Sequence, residues 1–237
     1  MPYRRLPNTD QARIRALRAV VNKADYGDVY HLAVSLGTVT KARNFLVRFN
    51  AAQTYYAGCF ERQSQAGRKH QAHVRMARLF VSHFIQVLNL AVIRSEIRPA
   101  YKTYYNLVPD DMNVPDLSSE SALVQWGKNI IEGEKKRLSH GGVPIYNPTI
   151  AKVKTHYDIF RESYDQQKNL QSLTARSLEE LSSMRAVADE LILDIWNQVE
   201  KTFEETTPNQ RRLDLCRSYG VIYYYRKGEQ REEDTKG

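Results

Sequence analysis

Residues 149–207 read TIAKVKTHYDIFRESYDQQKNLQSLTARSLEELSSMRAVADELILDIWNQVEKTFEETT and contain neither glycine nor proline. Apolar residues recur at every third or fourth position, which is the period of an amphipathic helix. Glycine and proline are the strongest helix breakers, so their absence favours helix throughout. A single helix of this length would reach about 90 Å at 1.5 Å per residue. The stretch therefore predicts an all-α fold.

We expect this stretch to fold back once, near residues 172–177. The apolar residues on the two sides of that point do not form one stripe: Val153, Tyr157, Phe160 and Tyr164 come before it, and Leu170, Leu173 and Leu178 come after it. Ser177-Leu178-Glu179-Glu180 also has the form of a capping box, which would begin a second helix. One continuous helix with a stutter is the competing interpretation.

The rest of the chain predicts four further helices. Capping residues at Pro7-Asn8-Thr9-Asp10 start the first, the second runs from about Thr40 to Gln65, and Ala66-Gly67 separates it from a third that ends near Ile97, before Pro99. The fourth runs from the cap Ser119 to about Leu138 and is closed by His140-Gly141-Gly142. Residues 107–119 form the clearest linker, and Asn147-Pro148 is expected to open the next helix, with Asn as cap and Pro at the first helical position.

Together these elements predict an antiparallel bundle of about six main helices. After Pro208 we expect a short helix around Leu213–Ser218, a strand-like segment at Tyr219–Arg226 and a disordered last ten residues. The strand needs a partner, either Val143–Tyr146 or the extended N-terminus. A shift of about 110 residues superposes helices of similar pattern. This indicates a tandem three-helix repeat, unless amphipathic helices simply align this well by chance.

Charge divides the chain unevenly. Residues 1–108 hold 17 Lys/Arg and 5 Asp/Glu, whereas residues 109–237 hold 18 and 22, and the whole chain has a net charge of +8. We therefore predict a basic three-helix unit at 1–108 and an acidic three-helix unit with the strand-like tail at 109–237, with one continuous domain as the alternative. The basic half is a candidate surface for a polyanion or for the acidic half of the chain.

Composition indicates a soluble cytoplasmic protein. The two cysteines, Cys59 and Cys216, are far apart and are expected to be reduced thiols. The N-terminus lacks the apolar core of a secretion signal. The most apolar stretch, Leu79–Ile93, is too short and too polar to span a bilayer, so no membrane association is expected.

No catalytic, metal or cofactor site is predicted. The chain has no phosphate-binding glycine loop, no nucleophile elbow and no HExxH motif. His70 and His73 share a helix face, but no carboxylate lies within one turn, so we interpret them as a surface pair near a loop. Cys59 is interpreted as a core residue.

The strongest positive signal is a basic cluster at the predicted turn between the second and third helices. Glu61 is the one acidic residue near it. Such a cluster could hold phosphates, or it could form an interface with the acidic helices. The cluster, a candidate site for a polyanion or a protein partner, consists of Arg62, Arg68, Lys69, Arg75 and Arg78.

Five segments resemble those of an uncharacterised family of all-helical bacterial proteins: MPYRRLPNTDQARIRALRA, VSHFIQVLNLAV, VQWGKNIIEGE, GGVPIYNPTIAKVK and YGVIYYYRKGE. The similarity spans most of the chain. The family has no assigned activity, cofactor or catalytic residue, so the resemblance implies no site. It does imply that the N-terminal segment and the tyrosine-rich tail are structural hallmarks.

These observations favour a non-enzymatic helical interaction or scaffold protein that binds a protein partner or a second copy. The alternative is a nucleic-acid-binding bundle that uses the basic cluster.

Overall fold

The computed structural model describes residues 2–27 and 31–226. Five α-helices and one 3-10 helix occupy most of them: α1 (Asp10–Tyr26), α2 (Leu36–Ile93), the 3-10 helix (Pro99–Tyr105), α3 (Glu120–Ser139), α4 (Ile150–Thr202) and α5 (Asn209–Ser218). Two short strands, β1 (Tyr3–Arg4) and β2 (Tyr223–Tyr224), complete the described elements. The predicted all-α helical bundle is confirmed. The last ten residues, which were predicted to be disordered, lie outside the described residues.

Local capping signals are correct for α1 and α3. The Thr9 hydroxyl accepts a hydrogen bond from the Ala12 amide at 3.2 Å, and the Ser119 hydroxyl accepts one from Ala122 at 3.1 Å. At the other end of α3, Gly141 has a φ of 82°, a left-handed conformation that glycine adopts at low cost. These short-range signals act over three or four residues, which is why the sequence reveals them.

The predicted break at Ala66-Gly67 is wrong, because α2 runs without interruption from Leu36 to Ile93. One glycine inside a helix costs only about 1 kcal/mol relative to alanine, which the flanking helical residues outweigh. Gly67 also lies against α4: a Cβ placed there would be 3.4 Å from the Gln167 side-chain nitrogen. That is an ordinary van der Waals separation, so Gly67 lies in a normal helix contact and does not mark a turn.

The predicted fold-back near residues 172–177 is also wrong, and the competing single helix is observed as α4, Ile150–Thr202. Ser177 was expected to cap a new helix. Its hydroxyl instead donates to the Thr174 carbonyl at 2.9 Å, three residues back in the same helix. Both side chains are buried, so the polar pair faces the interior and needs no helix end.

The start of α4 differs by two residues from the expectation. Asn147 does not cap the helix and Pro148 is not its first residue, since α4 begins at Ile150. The Thr149 hydroxyl accepts a hydrogen bond from the Lys152 amide at 3.3 Å, so Thr149 is the cap. The 147–148 peptide bond is cis.

The strand-like tail pairs with the N-terminus, which was one of the two partners expected. Tyr3 faces Tyr224 and Arg4 faces Tyr223 in an antiparallel register. The Arg5 amide adds a hydrogen bond of 2.8 Å to the Ile222 carbonyl. The other expected partner does not pair with β2, because Tyr146 instead bridges Thr149. The strand is shorter than predicted and covers two residues, Tyr223–Tyr224.

The chain divides into two compact units, each of which packs mainly against itself. Unit 1 comprises Met1–Cys59 with Thr174–Gly237, and unit 2 comprises Phe60–Leu173. Both divisions fall inside the long helices. The boundary near residue 108 was predicted from charge, and neither it nor the tandem repeat is tested by this division, so both stay predictions.

The core of unit 1 joins α1, α2, α4 and α5. Its largest member is Trp196, fully buried, and both free cysteines, Cys59 and Cys216, are buried in this unit. Two ion pairs link α1 to α4: Arg13 to Asp189 at 2.8 Å and Arg185 to Asp10 at 2.8 Å. In each pair, two nitrogens of the guanidinium group contact the carboxylate, the strongest geometry for such a pair.

Unit 2 packs α2, the 3-10 helix, α3 and α4 around one apolar cluster. Phe84, Leu123, Ile130 and Phe160 are each fully buried there. Two glycines of α3 make room for rings: a Cβ on Gly127 would be 2.2 Å from the Tyr157 ring, and one on Gly133 would be 2.5 Å from the Tyr105 ring. The α3 backbone therefore approaches these aromatic side chains more closely than any other residue type would allow.

The segment 107–119 is anchored to this unit, although the sequence predicted a linker. Leu107 and Leu117 are buried. The Lys102 ammonium group donates to the Asp111 carbonyl, and the Asn89 amide donates to the Met112 carbonyl at 2.9 Å. Side chains of the helices thus satisfy the backbone of this loop.

Candidate functional site

The basic cluster predicted from the sequence does not lie at a turn, because all five residues belong to the continuous helix α2. At about 100° per residue, side chains seven positions apart project from the same side. Arg68 and Arg75 therefore share one side, while Arg62 and Lys69 share another. Arg78 is three positions after Arg75 and is its neighbour on the helix surface, but its side chain bonds to carbonyls before α3. The structure does not gather these five cations into one patch.

Arg78 has an internal role. Its Nε donates to the Leu117 carbonyl and its Nη2 to the Ser118 carbonyl, each at 2.9 Å. These carbonyls lie immediately before α3. Arg78 therefore helps to fix the start of α3 and has fewer donors left for a ligand.

Arg62 and Lys69 line a groove in unit 2. The groove lies between α2 and α4 and has a volume of about 350 Å³. His70 and His73 contribute from α2, and Ser163 contributes from α4. This groove is where the predicted cations come nearest to titratable and nucleophilic side chains.

His70 is buried, with 3% of its surface exposed, so the interpretation of His70 and His73 as a surface pair is wrong for His70. Its Nδ1 lies 2.8 Å from the Ser163 hydroxyl, and its Nε2 lies 3.3 Å from a Glu120 carboxylate oxygen. Nε2 nevertheless makes no well-directed hydrogen bond. The carboxylate comes from α3, which is distant in sequence, and no local spacing could have revealed it.

Ser163, His70 and Glu120 are the residue types of a nucleophilic catalytic triad. Their geometry here instead indicates hydrogen bonds that hold the helices together. The Ser163 hydroxyl donates to the Phe160 carbonyl at 2.9 Å. Nδ1 must then carry the proton shared with Ser163, so it cannot accept the serine proton. Ser163 also lies in the middle of α4, where backbone N–H groups are used in helix hydrogen bonds and cannot stabilise an oxyanion. In the described part of the chain, no group of three or more metal-ligating side chains is present.

The side of α2 that carries Arg68 and Arg75 continues as an exposed apolar surface. Leu79, Leu90 and Ile93 are 56%, 50% and 62% exposed. Arg68 and Arg75 make no ion pair with a described residue, and no acidic residue occurs from 62 to 93. We call this surface, Arg68, Arg75, Leu79, Leu90 and Ile93, the α2 solvent face. It is basic at one end and apolar at the other.

Within the described residues, α2 also contains a window that is long and apolar enough to cross a membrane by length and composition. The mean hydropathy of that window is 1.6, and 44% of it is buried inside the protein. Core helices of soluble proteins pass the same test. The expectations of a cytoplasmic protein and of no membrane association therefore stay predictions.

A buried polar network was missed entirely by the sequence reasoning. Glu134 and Arg137, three residues apart on α3, are almost fully buried and form an ion pair of 2.8 Å. The Tyr105 hydroxyl donates to Glu134, and the Arg137 Nε lies 2.9 Å from that hydroxyl oxygen. Burial and the hydrogen bond to Glu134 raise the pKa of Tyr105. Burial opposes the charge of Arg137, but its bonds to Glu134 and Tyr105 outweigh this and raise its pKa.

Comparison with protein-family models, curated proteins and solved structures finds no match to this chain. The resemblance to an uncharacterised bacterial family therefore stays a prediction. Any functional assignment has to come from the geometry of the described residues.

Proposed function

We propose that this protein is a non-enzymatic helical interaction protein, and that the α2 solvent face docks an acidic amphipathic helix of a protein partner. The observation that carries the proposal is the combination, on one side of one helix, of exposed leucines with arginines that pair with none of the described residues. Exposed leucines cost free energy in water, and a partner of complementary pattern would bury them while its carboxylates pair with the arginines.

The spacing of this face supports a helical partner. Residues 68, 72, 75, 79, 86, 90 and 93 are separated by alternating steps of four and three, except for one full heptad between 79 and 86, as in the seam of a coiled coil. A second helix could lie along such a seam, with its acidic residues beside Arg68 and Arg75. Its apolar residues would then meet Leu79, Leu90 and Ile93.

Nucleic acid is the weaker alternative. A phosphate backbone is bound by many cations that point the same way. Here Arg78 bonds to carbonyls of its own chain, and Arg62 and Lys69 project from another side of α2 than Arg68 and Arg75. The apolar half of the face has no counterpart on a phosphate backbone.

The test uses two helical peptides of about 21 residues, or three heptads, with the same apolar seam. One carries Glu at the flanking positions and the other carries Lys. We expect the Glu peptide to bind at least about tenfold more tightly in a titration followed by fluorescence anisotropy, since like charges across an interface are unfavourable. A random-sequence DNA duplex is measured in parallel.

Variants locate the binding. Leu79→Glu and Arg75→Glu should each weaken binding of the Glu peptide about tenfold or more. Ile159→Glu is the matched control, because Ile159 is an exposed residue of unit 2 that belongs to α4 and not to this face. Equal binding of the two peptides, or equal effects of Leu79→Glu and Ile159→Glu, would contradict the proposal. Tighter binding of the DNA duplex would favour the alternative. Concentration-dependent dimerisation that Leu79→Glu abolishes would identify a second copy as the occupant.

A further inference from the structure

Unit 2 contains a second cavity, separate in its residues from the α2 solvent face except near Ile93. It lies between the C-terminal end of α2, the segment leading into the 3-10 helix and the loop after α3, and its volume is about 590 Å³. Its apolar lining includes Val87, Ala91, Ile97 and Ile145. Pockets that hold small molecules have volumes of roughly 300–1,000 Å³ and are mostly apolar with a few polar groups. The volume lies in that range, and the lining combines apolar residues with several charged ones.

One part of the lining is cationic. Arg94 is engaged by Glu96 at 2.7 Å, whereas Arg98 is exposed and makes no ion pair or hydrogen bond with a described residue. The Arg98 backbone caps the 3-10 helix, but its side chain takes no part in that cap. The positive charge of Arg98 therefore faces the cavity and is not neutralised by any described residue.

Arg137 supplies a second donor from the interior. It lines the cavity although only 2% of its surface is exposed. Its hydrogen bonds to Tyr105, Glu134 and the Val143 carbonyl use Nε and Nη2 and leave Nη1 without a bond to any described residue. Nη1 lies beside Gly142, another lining residue, where a Cβ would come within 2.7 Å of it. The absence of a side chain at Gly142 keeps that nitrogen accessible.

The charges around the cavity favour a ligand with one negative charge. Arg94, Arg98 and Arg137 are opposed by Glu96 in the lining and by Glu134 behind Arg137, which leaves a net charge of about one positive unit. Guanidinium groups match the two oxygens of a carboxylate particularly well. A dianionic phosphate would leave charge unbalanced beside the apolar part of the lining.

We propose that this cavity binds a small monocarboxylate with an aromatic or branched aliphatic body. Its carboxylate accepts hydrogen bonds from Arg98 and from Nη1 of Arg137. Its body packs on the apolar lining, with Tyr101 and Tyr146 at the rim. This binding site is independent of the partner docking proposed above.

The experiment uses 4-phenylbutyrate and 4-methylpentanoate as probes, and 4-phenylbutanamide as the uncharged match of the first. Backbone amide shifts of Gly141, Gly142 and Val143 are followed by NMR during titration. We expect a carboxylate probe to shift these amides in a saturable way. Loss of charged hydrogen bonds should make the amide bind about tenfold more weakly.

Two charge-matched variants test the role of Arg98. Arg98→Gln should weaken carboxylate binding by about fivefold or more, because it removes a charged donor. Arg18→Gln removes the same charge from an exposed arginine of α1 that makes no ion pair with a described residue and does not line the cavity, and should change affinity less than about twofold. The proposal is overturned if the amide binds as well as the acid, if the two variants behave alike, or if neither carboxylate shifts the loop amides at about 5 mM, a concentration above the dissociation constant of even weak ligands.

Discussion

At the scale of single residues, the pair of Glu134 and Arg137 shows how strongly one side chain can depend on another. Both are sealed from water, and each satisfies the other. Arg137→Met would leave an uncompensated carboxylate in the interior. We expect this variant to lose about 3–5 kcal/mol of unfolding free energy, measured by urea denaturation.

The control replaces both charges. Glu134→Leu with Arg137→Met removes the need for compensation and should recover most of that loss, since a buried ion pair is often no more stable than apolar residues of similar volume. Arg94→Gln breaks the exposed pair with Glu96 and should leave the urea midpoint unchanged. An Arg137→Met variant as stable as Arg94→Gln would show that the buried pair is dispensable.

Residue-scale features were predictable where their cause is local. Thr9 and Ser119 cap their helices with hydroxyls that reach three residues along the chain, and the sequence shows this directly. His70 was misread because Ser163 and Glu120, which contact it, lie on other helices. Arg78 was misread for the same reason, since its partners are carbonyls about 40 residues away.

At the scale of elements, the continuity of α4 through residues 172–177 makes a sharp prediction. Ser172 is exposed in the helix, and proline at that position would remove one helix hydrogen bond and clash with the preceding turn. Ser172→Pro should therefore lower stability by about 3 kcal/mol or more, measured by chemical denaturation.

Ser172→Ala serves as the matched control and should be neutral or slightly stabilising, because alanine has the higher helix propensity. If the chain folded back here, as the sequence suggested, proline would be tolerated at the turn. Equal stabilities of the two variants would thus reinstate the two-helix interpretation.

The anchored loop after the 3-10 helix gives a pH dependence. Lys102 is fully buried, and burial lowers the pKa of its ammonium group below the usual 10.5. Between the lowered value and 10.5 the unfolded chain binds more protons than the folded one, so folding becomes more favourable as pH rises. The stability of the wild type relative to Lys102→Met should be constant at lower pH and increase as pH approaches 10.5.

Urea denaturation at a series of pH values measures this difference. Lys69→Met, which changes an exposed lysine of α2, is followed at the same pH values to account for the substitution itself. A difference for Lys102→Met that falls as pH rises would mean that the contacts of the ammonium group outweigh the cost of its burial, contrary to the expectation.

The sequence predicted where helices occur, but it did not predict where the long helices end. Apolar periodicity identified helices in every region where the structure has a long one. The errors concern Gly67 and Ser177, both of which look like helix ends in sequence. One lies against Gln167 and the other bonds back to Thr174, and these contacts exist only once α2 and α4 are in place.

At the scale of the whole molecule, the net charge of +8 predicts weak, nonspecific attraction to nucleic acid. Several arginines are already used inside the protein, among them Arg13, Arg137 and Arg185. We therefore expect the slope of log affinity against log salt for duplex DNA to be no steeper than about −3, which corresponds to roughly three phosphate contacts.

Anisotropy titrations between about 50 and 200 mM salt give this slope, and each lost phosphate contact should reduce it by about one. Arg68→Gln with Arg75→Gln should flatten it, whereas Arg13→Gln should not, because Arg13 is paired with Asp189. A steep slope that the double variant reduces sharply would favour nucleic acid as the partner.

The fold class followed from composition and periodicity, but the candidate sites did not. The basic cluster was found by counting charges, and only the helix geometry shows that its members diverge. The α2 solvent face needs the exposure of Leu79 and Leu90, which periodicity alone does not provide. The second cavity depends on Arg98, Arg137 and Gly142, which are brought together by tertiary packing.

The placement of both thiols in unit 1 has a practical consequence. Cys59 and Cys216 are each 1% exposed, and burial raises the pKa of the Cys216 thiol, so both should resist aromatic disulfide reagents while that unit is closed. Modification then requires a fluctuation that admits the reagent, so the rate of thiol modification measures how often such fluctuations occur. Unit 2 has no cysteine, so the modification rate reports on fluctuations of unit 1 and gives no information about unit 2.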